Sequence, residues 1–112
     1  MRGLIAGAAV AVFFGAAAVA RAQPGDPQAG RRLALHDCAV CHVVAEKQET
    51  KPLVAFYGPS FFDVANREGT SAQSIEGFLA HGHPRSRMPA PQLTPVQIRD
   101  VTSYILGLRG QH

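Results

Sequence analysis

Apolar residues recur at helical spacing near the end of the chain, in the clearest periodic pattern that the sequence contains. Three- and four-residue steps separate Ile98, Val101, Ile105 and Leu108. This spacing places the four side chains on one face of a helix. Thr94 and Gln97 form a predicted capping box at its start, with Pro95 in the first turn. Gly110 is the predicted stop.

A helix is also predicted to begin at Asp26, with this residue as the N-cap and Pro27 at the first helical position. It should run into the segment that holds both cysteines of the chain. Gly30, Ala34 and Cys38 then share one face at four-residue steps. Because that face carries little bulk, another helix can approach it closely.

Two shorter helices are predicted between these, over residues 60–67 and 71–81, and Gly69 and Gly82 follow them as breakers. Residues 43–59 are polar and contain proline and glycine, so we predict a long loop there. A loop of that length in a compact domain is usually functional or packed against a ligand. Since no convincing strand is found, the predicted fold class is all-α.

The first twenty-two residues have the pattern of a secretory signal peptide. Arg2 provides a positive start, an uncharged apolar run follows, and Ala20-Arg21-Ala22 fits the small-x-small cleavage pattern. We therefore expect residues 1–22 to be removed and residues 23–112 to form one exported, periplasmic domain. The alternative is an uncleaved membrane anchor, because the apolar run is close to the length that crosses a bilayer.

Removal of this segment changes the electrostatics of the chain. The full sequence has eleven Lys and Arg against eight Asp and Glu, for a formal net charge of +3. Arg2 and Arg21 leave with the signal peptide, which lowers the net charge to +1. A near-neutral domain with no basic stripe and no interleaved aromatic residues is not expected to bind nucleic acid. No membrane span is expected after cleavage.

The segment Cys38-Ala39-Val40-Cys41-His42 carries the most specific chemistry in the sequence. A C-x-x-C pair followed directly by His is the attachment signature of c-type haem. Two thiols on one helical turn can each add to one of two neighbouring vinyl groups, and His42, on the same face as Cys38, can reach the iron. The sequence therefore predicts one covalently bound haem c held by Cys38 and Cys41, with His42 as proximal axial ligand.

Three other interpretations of the cysteine pair fit the sequence less well. A disulfide between residues three apart would gain little from loop entropy. A thioredoxin-like dithiol should lie within a βαβ pattern, which the chain lacks. Half of a zinc site would need partner cysteines near His81 and His83, and none is present. The redox dithiol is the main alternative that remains.

Met88 is the predicted distal axial ligand. It is the only methionine left after signal cleavage, and it stands beside Pro89 in an irregular segment before the last helix. A lone methionine is ordinarily core filler, but this segment has no helical periodicity and suits a rigidly presented thioether. His81 or His83 is the alternative ligand and would give bis-histidine iron. His36 and His112 are expected to be exposed, with no ligand role.

These features resemble the small class I cytochromes c of bacteria, over residues 30–108. The resemblance implies a small all-α fold, with three to five short helices around a covalently attached haem. It also implies that the N- and C-terminal helices cross at small residues, with Gly30 and Ala34 on one helix facing Val101 and Tyr104 on the other. The pair Gly58-Pro59 implies that the Pro59 carbonyl accepts the Nδ1 proton of His42.

The chain departs from the simplest pattern of this family in three ways. The loop after His42 is long, there is no Trp, and Ala34 stands where a larger aromatic residue is often found. These departures leave the haem propionates without an evident partner. The candidates are Tyr57, Arg67, Arg85 and Arg87.

The expected function is transfer of one electron between redox partner proteins that dock transiently, through a His/Met-ligated iron. No enzymatic activity is expected of such a carrier. One alternative is a haem-bearing subunit of a dehydrogenase or oxidase complex. Another is a five-coordinate haem protein that reduces peroxide or binds a gas.

Overall fold

The structure is a computed structural model that describes residues 3, 7, 10–16, 24–53, 57–82 and 87–112. Its helices are α1 (Pro27–Leu33), α2 (Phe61–Asn66), α3 (Ala72–His81) and α4 (Pro95–Leu106), and a π-helical turn, Ala34–Cys38, extends α1. The described residues include no strand. The fold is therefore all-α, as predicted from the sequence.

The start of α1 lies at the predicted residue. The Asp26 carboxylate accepts hydrogen bonds from the main-chain N–H of Gln28, at 2.9 Å, and of Ala29, at 3.3 Å. It thereby satisfies donors that a helix start leaves free. At the other end, the Ala39 N–H bonds to the Ala34 carbonyl, so the helix widens into the π-helical turn as it reaches the cysteines. Such turns are often found at functional sites.

Helices α1 and α4 cross in close contact, as the resemblance implies. A Cβ atom on Gly30 would lie 2.0 Å from the main-chain oxygen of Asp100, so only glycine fits this crossing. Ala34 and Val101 are both fully buried beside it. The Asp100 carboxylate also accepts a hydrogen bond from the N–H of Asp26, at 2.8 Å, which ties the start of α1 to α4.

The two short helices also match the prediction to within a residue or so at each end. Ser60 caps α2, and Ser71 and Ser74 form a reciprocal capping box at the start of α3. Gly69 and Gly82 follow these helices with φ values of +80° and +70°. These left-handed conformations favour glycine and turn the chain out of its helical path.

The predicted stop of α4 is wrong by several residues. The capping box of Thr94 and Gln97 is present, but the helix ends at Leu106 and Gly107 is its C-cap. Turns follow as far as Gly110. Local turn bonds replace the helical ones here, with Leu108 N–H donating to the Ile105 carbonyl at 3.0 Å, and the Asn66 side chain of α2 accepts from the N–H of Gly110 and donates to the carbonyl of Gln111. These bonds hold the end of the chain against α2.

The predicted signal peptide lies largely outside the described residues, and so does its cleavage site. Residues 10–16 are described, and they are exposed and have no regular secondary structure. Within the described part of the chain, no helix combines the length and apolar character that crossing a membrane requires.

Candidate functional site

The fold encloses a cavity of about 750 Å³ between the cysteine segment, helices α2 and α3, and the segment around Met88. Its volume lies within the range of small-molecule and cofactor sites. Cys38, Cys41, His42 and Met88 all line it. Its walls are mostly apolar and include Phe61, Val64, Ile75, Phe78, Leu79 and Ile105. The structure thus brings the four predicted site residues to one apolar space.

The two cysteines are half-buried free thiols beside this cavity. The N–H groups of Cys41 and His42 both bond to the carbonyl of Cys38, at 3.1 and 2.9 Å, so the motif forms one tight turn. Burial raises the pKa of the Cys38 thiol to about 11, and the nearby Asp37 and Cys41 add to the shift. A reactive dithiol needs a lowered thiol pKa, so this environment argues against the redox-dithiol interpretation.

His42 is buried, and its ring orientation is defined on two sides. Its Nδ1 lies 2.7 Å from the Pro59 carbonyl oxygen, which is the contact that the resemblance implies. Because a carbonyl only accepts, Nδ1 is the protonated nitrogen and Nε2 carries the free lone pair. The Phe61 ring packs at 5.4 Å between centroids, with the planes tilted by 48°. The imidazole is therefore in the tautomer that binds a metal through Nε2.

The main chain of Gly58 lies directly against the imidazole. A Cβ atom there would be 2.3 Å from Cε1 of His42, so any larger residue would displace the ring. Two main-chain bonds set the register of this contact. Gly58 N–H donates to the Cys41 carbonyl at 2.7 Å, and Phe61 N–H donates to the Val43 carbonyl at 2.9 Å. Pro59 lies between these bonds, which aim its carbonyl at His42.

Met88 is half-buried and packs against the hydrophobic core at the edge of the cavity. Gly82 and Ala90, which flank Met88 in the chain, lie close together. A Cβ atom on Gly82 would be in ordinary contact, at 3.7 Å, with the Cβ of Ala90. Among the described histidines, only His42 lines the cavity. His81 is exposed at the end of α3, and the other alternative ligand, His83, lies outside the described residues.

His36, His112 and the described propionate candidates lie at the surface. His36 and His112 are exposed as predicted, and His36 pairs with the neighbouring Asp37. Three of the four propionate candidates, Tyr57, Arg67 and Arg87, are exposed residues that also line the cavity. The fourth, Arg85, lies outside the described residues.

The residues present fit a covalently attached haem. Two free thiols and an imidazole lone pair lie beside one apolar space, a thioether lies at its edge, and Gly58 leaves room for the imidazole. A zinc site fits less well, because no group of three or more His, Cys, Asp or Glu residues is close enough to hold a metal within the described ranges. The side chains around the cavity therefore include the donor types that haem c takes from a protein.

One residue that contacts the main chain of the site has no signal in the sequence. Gln48, in the predicted loop, bonds to the main chain of His42 through its side-chain amide, at 3.1 Å. A glutamine in a polar loop has no sequence signal that separates it from a solvated residue. Only the three-dimensional path of the loop reveals this contact.

Comparisons with known proteins give two further findings. The chain matches the Cytochrome c family model over residues 27–109. It is also similar to cytochrome c-552 from Bradyrhizobium diazoefficiens, with 38% identity over 80 residues, which cover 71% of this chain and 72% of the relative. The family match begins at the first residue of α1 and extends past the end of α4, so it includes the whole cavity.

Proposed function

The chain belongs to the cytochrome c family and carries haem c, and we propose that it is an exported single-haem protein that passes one electron between redox partners through iron ligated by His42 and Met88. The proposal is supported by one observation above all. His42, with Nε2 free to ligate, and the thioether of Met88 line the same apolar cavity as both cysteines.

Each residue of the site has a distinct task in this proposal. The thiols of Cys38 and Cys41 would hold haem c covalently, each through one sulfur–carbon bond, with the thiol hydrogen going to the other carbon of the same vinyl group. His42 would ligate the iron through Nε2, and the Pro59 carbonyl accepts its Nδ1 proton. The thioether of Met88, which lines the same cavity, would be the second ligand of the iron. When bound, haem c supplies the one-electron couple.

Ligation of the iron by two protein side chains would distinguish an electron carrier from an enzyme. A second protein ligand leaves no coordination position for peroxide or a gas, whereas a five-coordinate site has one open. The apolar side chains that line most of the cavity would limit the change in solvation when the charge of the site changes. Both features favour transfer of an electron without a bound substrate.

Export and partner docking complete the proposal. The pattern of residues 1–22 supports a signal peptide that is cleaved before Gln23, which leaves residues 23–112 as the working domain. Donor and acceptor proteins would dock transiently over a modest area. Size-exclusion chromatography of a native periplasmic extract tests whether the protein works free, since a free carrier elutes near its own mass and a complex subunit elutes earlier.

The Met88→Ala variant tests the ligand assignment. We expect the parent ferric protein to show a methionine-to-iron charge-transfer band in the far red, and the variant to lose this band and to have a lower midpoint potential. His81→Ala is the matched control and should retain both. A high-spin parent spectrum would refute the electron-carrier proposal. A Met88→Ala spectrum identical to that of the parent would refute Met88 as a ligand.

A further inference from the structure

The side chain of Gln48 uses its full hydrogen-bonding capacity on the main chain of the loop after the haem motif. Its Oε1 accepts from the N–H groups of Val44, at 2.7 Å, and Ala45, at 3.2 Å. Its Nε2 donates to the carbonyls of His42, at 3.1 Å, and Thr50, at 2.8 Å. A primary amide has two N–H donors and one oxygen with two lone pairs. The amide therefore fixes four separate main-chain groups.

The main chain that Gln48 holds is the same main chain that aligns the imidazole. Gln48 bonds to the main chain of His42 and Val44, and Val43 lies between them. The carbonyl of Val43 accepts a hydrogen bond from the N–H of Phe61 at 2.9 Å. That bond places the turn that contains Pro59, whose carbonyl receives the Nδ1 proton of His42. The path from Gln48 to the imidazole thus consists of short, specific bonds within one loop.

A second side chain, from α4, also bonds to the main chain that Gln48 holds at Val44. The hydroxyl of Tyr104, on α4, donates to the carbonyl of Val44 at 2.6 Å, within a buried contact. Val44 itself is fully buried. Tyr104 therefore joins the segment to the helix core, while Gln48 determines the shape of the loop that leads away from it.

We propose that Gln48 is a positioning residue for the axial imidazole, which it holds in register with the Pro59 carbonyl; this inference rests on the proposed ligation of iron by His42. A well-formed bond from Nδ1 makes the imidazole a stronger electron donor. Such a ligand favours the ferric state and lowers the potential. Loss of Gln48 loosens the bond, which raises the potential and exposes the Nδ1 proton.

Two substitutions separate the two halves of the amide. Gln48→Glu keeps the side-chain length and the acceptor oxygens that face Val44 and Ala45, but as a carboxylate it has no donor for the carbonyl of His42. Gln48→Met keeps the approximate shape and removes both functions. Gln97→Met is the matched control, because the Gln97 side chain accepts from the N–H of Thr94 in the capping box of α4 and does not line the cavity.

The readouts are the solvent exchange rate of the His42 Nδ1 proton, measured by proton NMR in the ferrous holoprotein, and the midpoint potential. We expect exchange to become about tenfold faster in Gln48→Met, which corresponds to about 1.4 kcal/mol, and to become faster than in the parent in Gln48→Glu as well. The potential should rise in Gln48→Met, because this substitution adds no charge. Gln97→Met should retain the parent rate and potential. If both Gln48 variants match Gln97→Met in rate and potential, the proposal is refuted, whatever their stability.

The same spectra distinguish failure of this inference from failure of the proposed function. Ring protons of an iron-bound imidazole lie directly above the porphyrin and are shifted strongly upfield. If the parent His42 signals lack this shift, the ligand assignment fails and the role of Gln48 fails with it. If the shift is present and the Gln48 variants behave like the control, only the role of Gln48 is refuted.

Discussion

A Gly→Ala substitution at two helical positions of this protein should change stability in opposite directions. Gly30, on α1, faces α4 at the helix crossing, where a Cβ atom would lie 2.0 Å from the Asp100 oxygen and 2.9 Å from the Val101 nitrogen. Gly77, on α3, is exposed, and a Cβ atom there would meet nothing within 4 Å. Comparison of Gly30→Ala with Gly77→Ala therefore separates the destabilisation caused by the steric clash at the helix crossing from the helix preference of alanine.

The expected magnitudes follow from these contacts. At Gly77, alanine should stabilise the protein by about 0.5–1 kcal/mol, because glycine loses more conformational freedom in a helix. The helix preference of alanine is the same at position 30, but there the new methyl group meets main-chain atoms. These atoms cannot rotate away as a flexible side chain could. The helices must then separate, and overpacking of this kind costs typically about 1–3 kcal/mol, occasionally more. With the cost at the upper end, we expect a net loss of about 2 kcal/mol.

Thermal unfolding of the holoprotein, followed by far-ultraviolet circular dichroism, measures both effects. For a domain of this size, about 1 kcal/mol corresponds to roughly 4–8 °C in Tm. Gly77→Ala should therefore raise Tm by about 2–8 °C, and Gly30→Ala should lower it by about 8–16 °C. The double variant should show the sum, because the sites share no contact. A Gly30→Ala protein as stable as the parent would show that α1 and α4 do not meet at this residue.

Two further substitutions test buried polar groups on α4. Thr102→Val should raise the free energy of unfolding by about 1 kcal/mol, because the Thr102 hydroxyl is buried and has no hydrogen-bond partner within the described residues; a lower guanidinium midpoint would contradict this. Tyr104→Phe should cost about 1–2 kcal/mol at neutral pH, since the carbonyl of Val44 loses its buried donor. Burial raises the pKa of Tyr104 above its ordinary value of 10, so the native state retains this proton more tightly, and the stabilisation is lost as pH rises above 10. The variant should therefore lose less stability than the parent between neutral pH and pH 11, and an equal loss in both proteins would contradict this assignment.

The starts of the helices could be predicted from sequence because their signals are local. Asp26, Ser60, Ser71 and Thr94 each cap a helix within a residue or so of the predicted position. A capping side chain bonds to N–H groups two or three residues away, so the few residues around it determine the result. The end of α4 could not be predicted in the same way. The residues that follow it bond to Asn66, more than forty residues earlier in the chain, and no local signal indicates such a contact.

The candidate site shows the same division between local and distant signals. The cysteine motif and Met88 could be proposed from the sequence because so few residue types bind haem iron or its vinyl groups, and the structure places them at one cavity. The contact between His42 and Pro59 was expected only through resemblance to a family. Gln48 was not predicted, since its amide acts on main-chain groups and any polar loop contains candidates for such bonds.

The helix crossing and the site are linked through the path of the chain. Helix α1 leads directly into the cysteine segment, and Met88 lies a few residues before the cap of α4. The contact of Gly30 with Asp100 sets how closely these helices approach, so it also constrains the distance between the segments that carry His42 and Met88. An added methyl group at the crossing would alter stability and the span between the two proposed ligands together. Gly30, which does not line the cavity, therefore contributes to the geometry of the cavity. The segments that carry His42 and Met88 each adjoin one of the two helices that cross at this glycine.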